Sequence, residues 1–295
     1  MRICVAPDSG FCKGVSRAID IALSCKGGCY TLGKLIHNES VLAWLQSQGV
    51  VAIDDLDRIE DGKTVVIRSH GVGKSVYDYM DDNGICYLDA TCGFVKKIHK
   101  IVYRHYNSGY RIVIIGDPAH PEVQGINGWC EYTATILDDE RIPPLDPSQK
   151  YCVVSQTTFD DRSYRKIVNL LEKCCKTVVI HNTICYTTIN RQNQADLLSA
   201  ECDAMLVIGS KTSSNTRKLY DICRRNCERT YDVETPFRLR QIDWDGIERV
   251  GIVAGASTPP QTIGQVVEAL IRDHGGIMDD MTQTTIGTCP GECSK

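Results

Sequence analysis

LDATCGFVKKIHK, residues 88–100, is a short strand pattern that runs directly into a helix pattern, with Cys92 at the junction. Turn residues such as glycine, asparagine, serine and proline are usual at a corner of this kind. A thiol there calls for another explanation. Two further stretches have the same arrangement: Cys12 in GFCKGVSRAI, residues 10–19, and Cys185 in TICYTTINRQ, residues 183–192.

The three cysteines are 80 and 93 residues apart, which is about the length of a small α/β unit. Three such units around a common axis would bring the three corners together. A thiol at a helix N-terminus is favoured as thiolate by the helix dipole, and thiolates are the ligands of iron–sulfur clusters. The alternative for each cysteine is a small packed residue. Each predicted helix also carries a basic residue: Arg17, Lys96 or Lys97, and Arg191.

Composition indicates an ordinary globular protein. The chain has 295 residues, a net charge of −4 and a pI of about 6.0, which argues against binding nucleic acid in bulk. No apolar run approaches the roughly 20 residues of a membrane helix. The N-terminal MRICVAPDSGF, residues 1–11, has the pattern of a first strand rather than that of a signal peptide. We expect a cytoplasmic protein, or one in the plastid stroma if this is a mature plant form.

The sixteen cysteines are expected to be mostly reduced, because disulfide scaffolds are short secreted chains. Three pairs have three intervening residues, which is neither a ferredoxin nor a zinc spacing. Core packing is therefore the expected role of most of the remaining cysteines. The pairs are Cys25 and Cys29, Cys223 and Cys227, and Cys289 and Cys293.

Seven short apolar stretches alternate with helical patterns, which predicts an α/β fold with mainly parallel sheets. The predicted strands are RICVAP, TVVIRS, CYLDA, RIVIIGD, YCVVSQ, AMLVIGS and RVGIVAG. We expect three similar lobes around a central site. Their predicted ranges are 10–92, 93–185 and 186–275, with strand 1–8 joining the third lobe and 276–295 forming a tail.

A second set of polar residues lies near the predicted strand ends, where ligands of parallel sheets bind. Helix N-termini, hydroxyl groups and imidazolium groups together favour a phosphate or diphosphate. Ser213 and Ser214 could instead serve only as N-caps, and Glu122 could lie in a solvent-exposed turn. No nucleotide-binding glycine motif is present. The set comprises His37, His70, His120, Glu122, Thr157, Thr158, Ser213, Ser214, Asn215 and Ser257.

The motifs GFCKGV, IHN, SHGV, DATC, AHPEVQG, QTT, ICYTTINRQ, GSKTSSN and AGAST occur in this order between residue 3 and about residue 275. In this combination the sequence resembles the LytB family, whose members are 4-hydroxy-3-methylbut-2-enyl diphosphate reductases. The family catalyses the last step of the methylerythritol phosphate route to isoprenoids. The resemblance implies three α/β lobes related by a pseudo-threefold around a central [4Fe–4S] cluster.

The resemblance also implies roles for individual residues. Cys12, Cys92 and Cys185 would hold the cluster, whose fourth iron has no protein ligand and binds the substrate hydroxyl. Glu122 and Thr157 would lie beside that hydroxyl, with the carboxyl group in the proton relay. The diphosphate would be bound by His37, His70, His120, Ser213, Ser214, Asn215 and Ser257.

The implied reaction removes an allylic hydroxyl to give isopentenyl and dimethylallyl diphosphate. It consumes electrons, and the sequence has no flavin or nicotinamide signature, so an external carrier such as ferredoxin or flavodoxin is expected. Two other functions stay open from the residues alone: a non-redox iron–sulfur hydro-lyase, and an electron carrier. A carrier usually has four cysteine ligands and no anion pocket, which favours an enzyme.

Two features depart from the family pattern. Gly93 follows the cysteine of DATC, where many relatives have proline. The C-terminus, which helps to cover the active site in the family, is short here and carries Cys289 and Cys293.

Overall fold

The structure is a computed structural model that describes residues 1–60 and 62–279. In chain order the strands are β1 Arg2–Val5, β2 Cys29–Leu32, β3 Val50–Ile53, β4 Val65–Ile67, β5 Tyr87–Asp89, β6 Arg111–Ile115, β7 Thr135–Leu137, β8 Lys150–Ser155, β9 Thr177–Ile180, β10 Ala204–Ile208, β11 Thr230–Val233, β12 Arg249–Ala254 and β13 Ile277–Met278. The helices are α1 Lys13–Leu23, α2 Glu39–Ser47, α3 Lys74–Asp82, α4 Gly93–Asn107, α5 Pro121–Asn127, α6 Asp161–Cys174, α7 Tyr186–Glu201, α8 Ser214–Asn226 and α9 Pro260–His274.

The strands form three separate sheets, and every strand pair that the described residues form is parallel. In space the strand orders are β3-β2-β4-β5, β7-β6-β8-β9 and β11-β10-β12-β1-β13. We call these the first, second and third sheets. Since each sheet is small and carries its own helices, the prediction of three α/β lobes with parallel sheets is confirmed.

The central strands are buried because they are apolar on both faces. Ile112 to Ile115 of β6 are at most 2% exposed, and Ala204 to Ile208 of β10 are fully buried. Each fully buried branched side chain contributes roughly 1.5–3 kcal/mol of burial free energy. Helices cover both faces of these sheets, as parallel sheets require. Every sheet therefore has a core on each side.

The chain's first strand lies inside the third sheet. Residues Arg2–Val5 pair with Arg249–Ile252 on one side, and Arg2 and Ile3 pair with Ile277 and Met278 on the other. Strand 1–8 was expected to join this lobe. The strand β13 falls in the segment predicted as a tail, and residues 280–295, with Cys289 and Cys293, lie outside the described residues. The precise lobe boundaries stay a prediction.

None of the helices in the described part of the chain is long and apolar enough to cross a membrane.

Candidate active site

The three recurring cysteines lie where the chain passes from one lobe to the next. Cys12 follows β1 of the third sheet and precedes α1, whose Val15 and Ala18 pack on the first sheet. Cys92 follows β5 of the first sheet and precedes α4, which packs on the second sheet. Cys185 follows β9 of the second sheet and precedes α7, which packs on the third. One type of crossing therefore occurs three times and carries a thiol each time.

Each of these cysteines is the N-cap residue of its helix. The Sγ of Cys12 accepts a hydrogen bond from the backbone N–H of Val15 at 3.4 Å. Burial raises the pKa of the Cys92 thiol; the N–H of Phe94 opposes this rise, while Cys12 and Cys185 add to it. The three thiols are thus close enough to affect one another electrostatically. All three are free and partly buried.

Gly14 provides the room between two of these thiols. A Cβ at this position would lie 2.9 Å from Cys92 Sγ and 3.8 Å from Cys12 Sγ. Gly14, the second glycine of GFCKGV, lies in the first turn of helix α1, where the backbone does not require glycine. The sulfur atoms beside it are therefore the reason for a residue without a side chain.

A buried cation lies next to the cysteines. Arg191 of α7 is 6% exposed, and its Nη1 donates a hydrogen bond to the carbonyl of Ala254 at 3.1 Å. Burial lowers its pKa, while the nearby Cys12, Asp8 and Cys185 favour its charged form. The guanidinium can therefore offset negative charge on the sulfur side of the cavity.

Three histidines from different strand ends form a cluster in the same cavity. The ring centroids of His37, His70 and His120 are 5.0–5.5 Å apart. Burial lowers the pKa values of all three, and the charge of Arg68 adds to the fall. Neighbouring rings of the cluster lower the pKa values of His70 and His120 further, and that of His120 falls to about 4. The imidazolium groups expected from the sequence are therefore neutral imidazoles at neutral pH. The Nε2 of His37 and the Nδ1 of His70 are buried without a hydrogen-bond partner among the described residues.

Arg68 is a site residue that the sequence reasoning missed. It follows β4 directly, its charge lowers the pKa of each histidine in the cluster, and its Nε is also buried without a partner. Gly33, at φ +72°, leaves no room for a Cβ next to the guanidinium. The signal was available in RSHGVG, where an arginine stands between an apolar strand and a histidine.

Glu122 lies in the first turn of helix α5 and is only 2% exposed, so it is not in a solvent-exposed loop. Its two carboxylate oxygens accept hydrogen bonds from the Thr157 backbone N–H at 2.6 Å and from the Thr157 hydroxyl at 2.8 Å. Burial raises the pKa of Glu122 to about 7, although both hydrogen bonds oppose the rise. The Nδ1 of His120 accepts the Glu122 N–H at 3.1 Å, so the ring proton of neutral His120 is on Nε2.

The hydroxyl wall of the cavity surrounds the N-terminus of α8. Ser213 is the N-cap residue and accepts the Thr216 N–H at 3.4 Å, so this serine caps the helix and its hydroxyl can still donate a hydrogen bond. The side-chain nitrogen of Gln156 donates to Thr158 at 2.9 Å and to Ser214 at 3.3 Å, a positioning role that the sequence did not suggest. Asn215 Nδ2 is buried and has no partner in the described chain.

The residues singled out from the sequence all line a single cavity. This cavity contains the three cysteines, the three histidines, Glu122, Thr157, Thr158, Ser213, Ser214, Asn215 and Ser257. Ser257 is tied to the histidine side, because its hydroxyl donates to the carbonyl of His37 at 3.2 Å. Thiols, hydrogen-bond donors suited to an anion and the carboxyl group of Glu122 therefore line the same cavity.

The fold and the site define a class of protein: three-lobed α/β proteins with parallel sheets and one shared cavity that is lined by cysteines and hydrogen-bond donors. A sequence model of the LytB protein family matches residues 3–271. The chain therefore belongs to the LytB family, and it is an oxidoreductase. Membership suggests an iron–sulfur cluster.

Relatives and solved structures agree with this assignment. A protein of Thermoanaerobacter sp. (strain X514) is 42% identical over 278 residues, covering 92% of this chain and 96% of the relative. One of Alkaliphilus oremlandii is 44% identical over 280 residues, covering 92% and 99%. Both are named 4-hydroxy-3-methylbut-2-enyl diphosphate reductase. The solved E-1-hydroxy-2-methyl-but-2-enyl-4-diphosphate reductase from Plasmodium falciparum superposes with a TM-score of 0.85 at 27% identity, covering 95% of this chain and 92% of that one.

Proposed function

We propose that this protein reduces 4-hydroxy-3-methylbut-2-enyl diphosphate to isopentenyl and dimethylallyl diphosphate, the last step of the methylerythritol phosphate pathway. One observation carries the proposal: three thiols, a buried carboxyl group and a wall of anion donors share a single cavity. The names of the relatives support the choice of substrate. A cytoplasmic location stays a prediction of the sequence.

The residues on the sulfur side fit a [4Fe–4S] cluster. Cys12, Cys92 and Cys185 would be its ligands, since they are free, lie at helix N-termini and are close enough for Cys12 and Cys185 to raise the pKa of Cys92. Gly14 leaves space beside two of the sulfur atoms, and Arg191 supplies a buried positive charge. When bound with three protein ligands, such a cluster supplies electrons one at a time and an open iron that acts as a Lewis acid.

The opposite side of the cavity would hold the diphosphate. Buried polar groups without partners are costly in free energy, and a ligand that satisfies them recovers this cost. The unpartnered nitrogens of His37, His70 and Asn215 are such groups. A diphosphate would also raise the histidine pKa values and interact with the nearby charge of Arg68. Ser213, Ser214 and Ser257 would add hydroxyl donors.

Glu122 would supply the proton that the leaving hydroxyl needs. Hydroxide is a poor leaving group, so the oxygen must depart as water. A carboxyl group whose pKa is about 7 keeps its proton near neutral pH, which an exposed glutamate does not. The two hydrogen bonds from Thr157 fix the orientation of the carboxyl group. Two electrons and two protons balance the reaction: the carbon–oxygen bond breaks, water leaves, and the carbon skeleton gains one hydrogen.

The electrons would come from an external carrier such as ferredoxin or flavodoxin. A chemical reductant can replace the carrier in an assay. Turnover that needs no reductant would instead indicate the hydro-lyase alternative.

The decisive experiment replaces each cysteine separately by serine, because alkoxide is a poor substitute for thiolate. Protein purified and reconstituted without oxygen should lose its visible absorption and its turnover when Cys12, Cys92 or Cys185 is changed. The matched control is Cys174→Ser, because Cys174 is an exposed free thiol. Full iron content in Cys92→Ser would refute the three-ligand proposal.

A further inference from the structure

A second group of metal-ligating side chains lies outside the cavity described above. His105 is in the last turn of α4, Cys152 is on β8, and His181 directly follows β9. The nearest ligating atoms of the three residues all lie within 4.8 Å of one another. We propose that His105, Cys152 and His181 form a binding site for a divalent zinc-like ion.

The ligand set matches the chemistry of such an ion. Two imidazoles and one thiolate suit Zn²⁺, which three protein ligands and a water molecule commonly bind as a tetrahedron. With bonds of about 2.0–2.3 Å, the ligand atoms of a tetrahedral site lie roughly 3.3–3.8 Å apart. The ligand atoms here lie within 4.8 Å of one another, so the two imidazole side chains would rotate towards the ion as it binds.

His105 is already held in a ligating form. Its Nδ1 lies 2.9 Å from the carbonyl oxygen of Ile101, one helical turn earlier, and donates its proton to that oxygen. This hydrogen bond leaves Nε2 with a free lone pair. Histidines that bind metals usually donate their other ring N–H to a carbonyl or carboxylate in the same way.

His181 has a nitrogen that no described residue satisfies. Its Nε2 is buried without a hydrogen-bond partner. The backbone of His181 is fixed, because its N–H donates to the carbonyl of Val153 at 2.9 Å. Its ring meets that of His105 at a centroid distance of 5.1 Å and an angle of 64°. Burial, His105 and Lys97 lower its pKa, so the ring is neutral and able to bind a metal.

Cys152 supplies the sulfur. It is fully buried beside Ile98 and Val102 of α4, and its thiol is free. Burial raises its pKa to about 12, so the ion would have to displace the thiol proton. That proton would pass to solvent as the metal–sulfur bond forms, which is the usual exchange at thiolate sites. His105 and His181 are only partly buried, so the ion and a fourth, water ligand can reach the site.

The position of the site would let the ion connect two segments that carry cluster cysteines. His105 is on the helix that begins at Cys92, and His181 is four residues before Cys185. A bound ion would therefore join the far end of one cysteine-bearing helix to the segment that leads to the next cysteine.

The test measures zinc on the intact iron–sulfur enzyme under anaerobic conditions. After equilibrium dialysis against Zn²⁺, elemental analysis should find one zinc per chain with the iron content unchanged. His105→Ala, His181→Ala and Cys152→Ala should each bind zinc roughly 100-fold more weakly or worse, since even partners of metal ligands cost 10–100-fold. His274→Ala is the control, because His274 lies outside this group.

The test must distinguish the proposed site from a second possible zinc site, because ligating atoms of His37, His70 and His120 also lie within 4.8 Å of one another. Zinc bound at the proposed site stays in His37→Ala, and its X-ray absorption shows one sulfur at about 2.3 Å and two nitrogens at about 2.0–2.1 Å. Zinc that is lost in His37→Ala but kept in His181→Ala would overturn the proposal. So would the absence of zinc binding in the wild type. If Cys152→Ala loses iron or folds poorly, the two histidine variants decide.

Discussion

The pKa of Glu122 predicts how the rate of the proposed reaction should depend on pH. If the protonated carboxyl group delivers the proton, kcat/KM should fall as the pH rises through about 7, the pKa of this buried group. The protonated fraction is then about nine tenths at pH 6 and about one tenth at pH 8, so the rate constant should drop roughly tenfold between them. An ordinary glutamate would give no such change in this range.

Two variants make the assignment specific. Glu122→Gln keeps the shape and accepts one Thr157 hydrogen bond but carries no acidic proton, so turnover at pH 6 should fall roughly 10²–10⁴-fold and lose its alkaline limb. Thr157→Val removes the hydroxyl donor that holds the Glu122 pKa down, so the limb should move to higher pH. His120, with a pKa of about 4, does not titrate in this window before substrate binds.

The assay is anaerobic turnover with a chemical reductant from pH 6 to 8.5, with substrate binding followed separately by spectral titration. A limb that persists in Glu122→Gln would assign the titration to the substrate or to another group. Near-normal turnover of that variant would refute Glu122 as the proton donor. Loss of substrate binding would instead make it a scaffold residue.

Two other predictions follow from the walls of the cavity. Gly14→Ala should lower the iron content of the reconstituted protein, because its Cβ would lie 2.9 Å from Cys92 Sγ. The control is Gly93→Ala in the first turn of α4, which should keep its iron because the added Cβ meets open space. Equal iron content in the two variants would contradict the argument. His70→Ala should weaken substrate binding about 10–100-fold, as expected for losing a hydrogen bond to a charged group worth roughly 1.5–3 kcal/mol, while the visible spectrum stays unchanged. Titration of that variant beside His274→Ala measures the effect, and equal affinities in the two would remove His70 from the diphosphate site.

Most of the strands that the sequence predicted are buried central strands; the exception is CYLDA, which became the partly exposed edge strand β5. RIVIIGD and AMLVIGS became β6 and β10, which are almost fully buried. The strands that the sequence reasoning missed are short, and all but β2 lie at sheet edges, where partial exposure weakens the apolar pattern. Helix α7 begins at Tyr186, directly after Cys185, as expected from the strand-to-helix arrangement around that cysteine.

The candidate site could be predicted because its members stand in short motifs at strand ends. The structure adds what depends on burial and on distant neighbours. The neutral state of His37 and His70 results from desolvation and from nearby positive charge such as that of Arg68, and neither effect is visible in IHN or SHGV. Arg68 and Gln156 act through residues remote in sequence, such as Ser214, which is 58 residues from Gln156. The binding roles of the candidate site residues stay predictions until variants are tested.

The position of β1 within the third sheet has a consequence for biosynthesis. The chain's first strand pairs on both sides with residues of its last quarter, from Arg249 onwards. During translation it has no native partner until that quarter has left the ribosome, and such long-range pairing forms slowly. Cys12 follows this strand and cannot reach its final position earlier. If the proposed cluster needs Cys12, Cys92 and Cys185 together, its insertion would follow synthesis of the residues from Arg249 onwards.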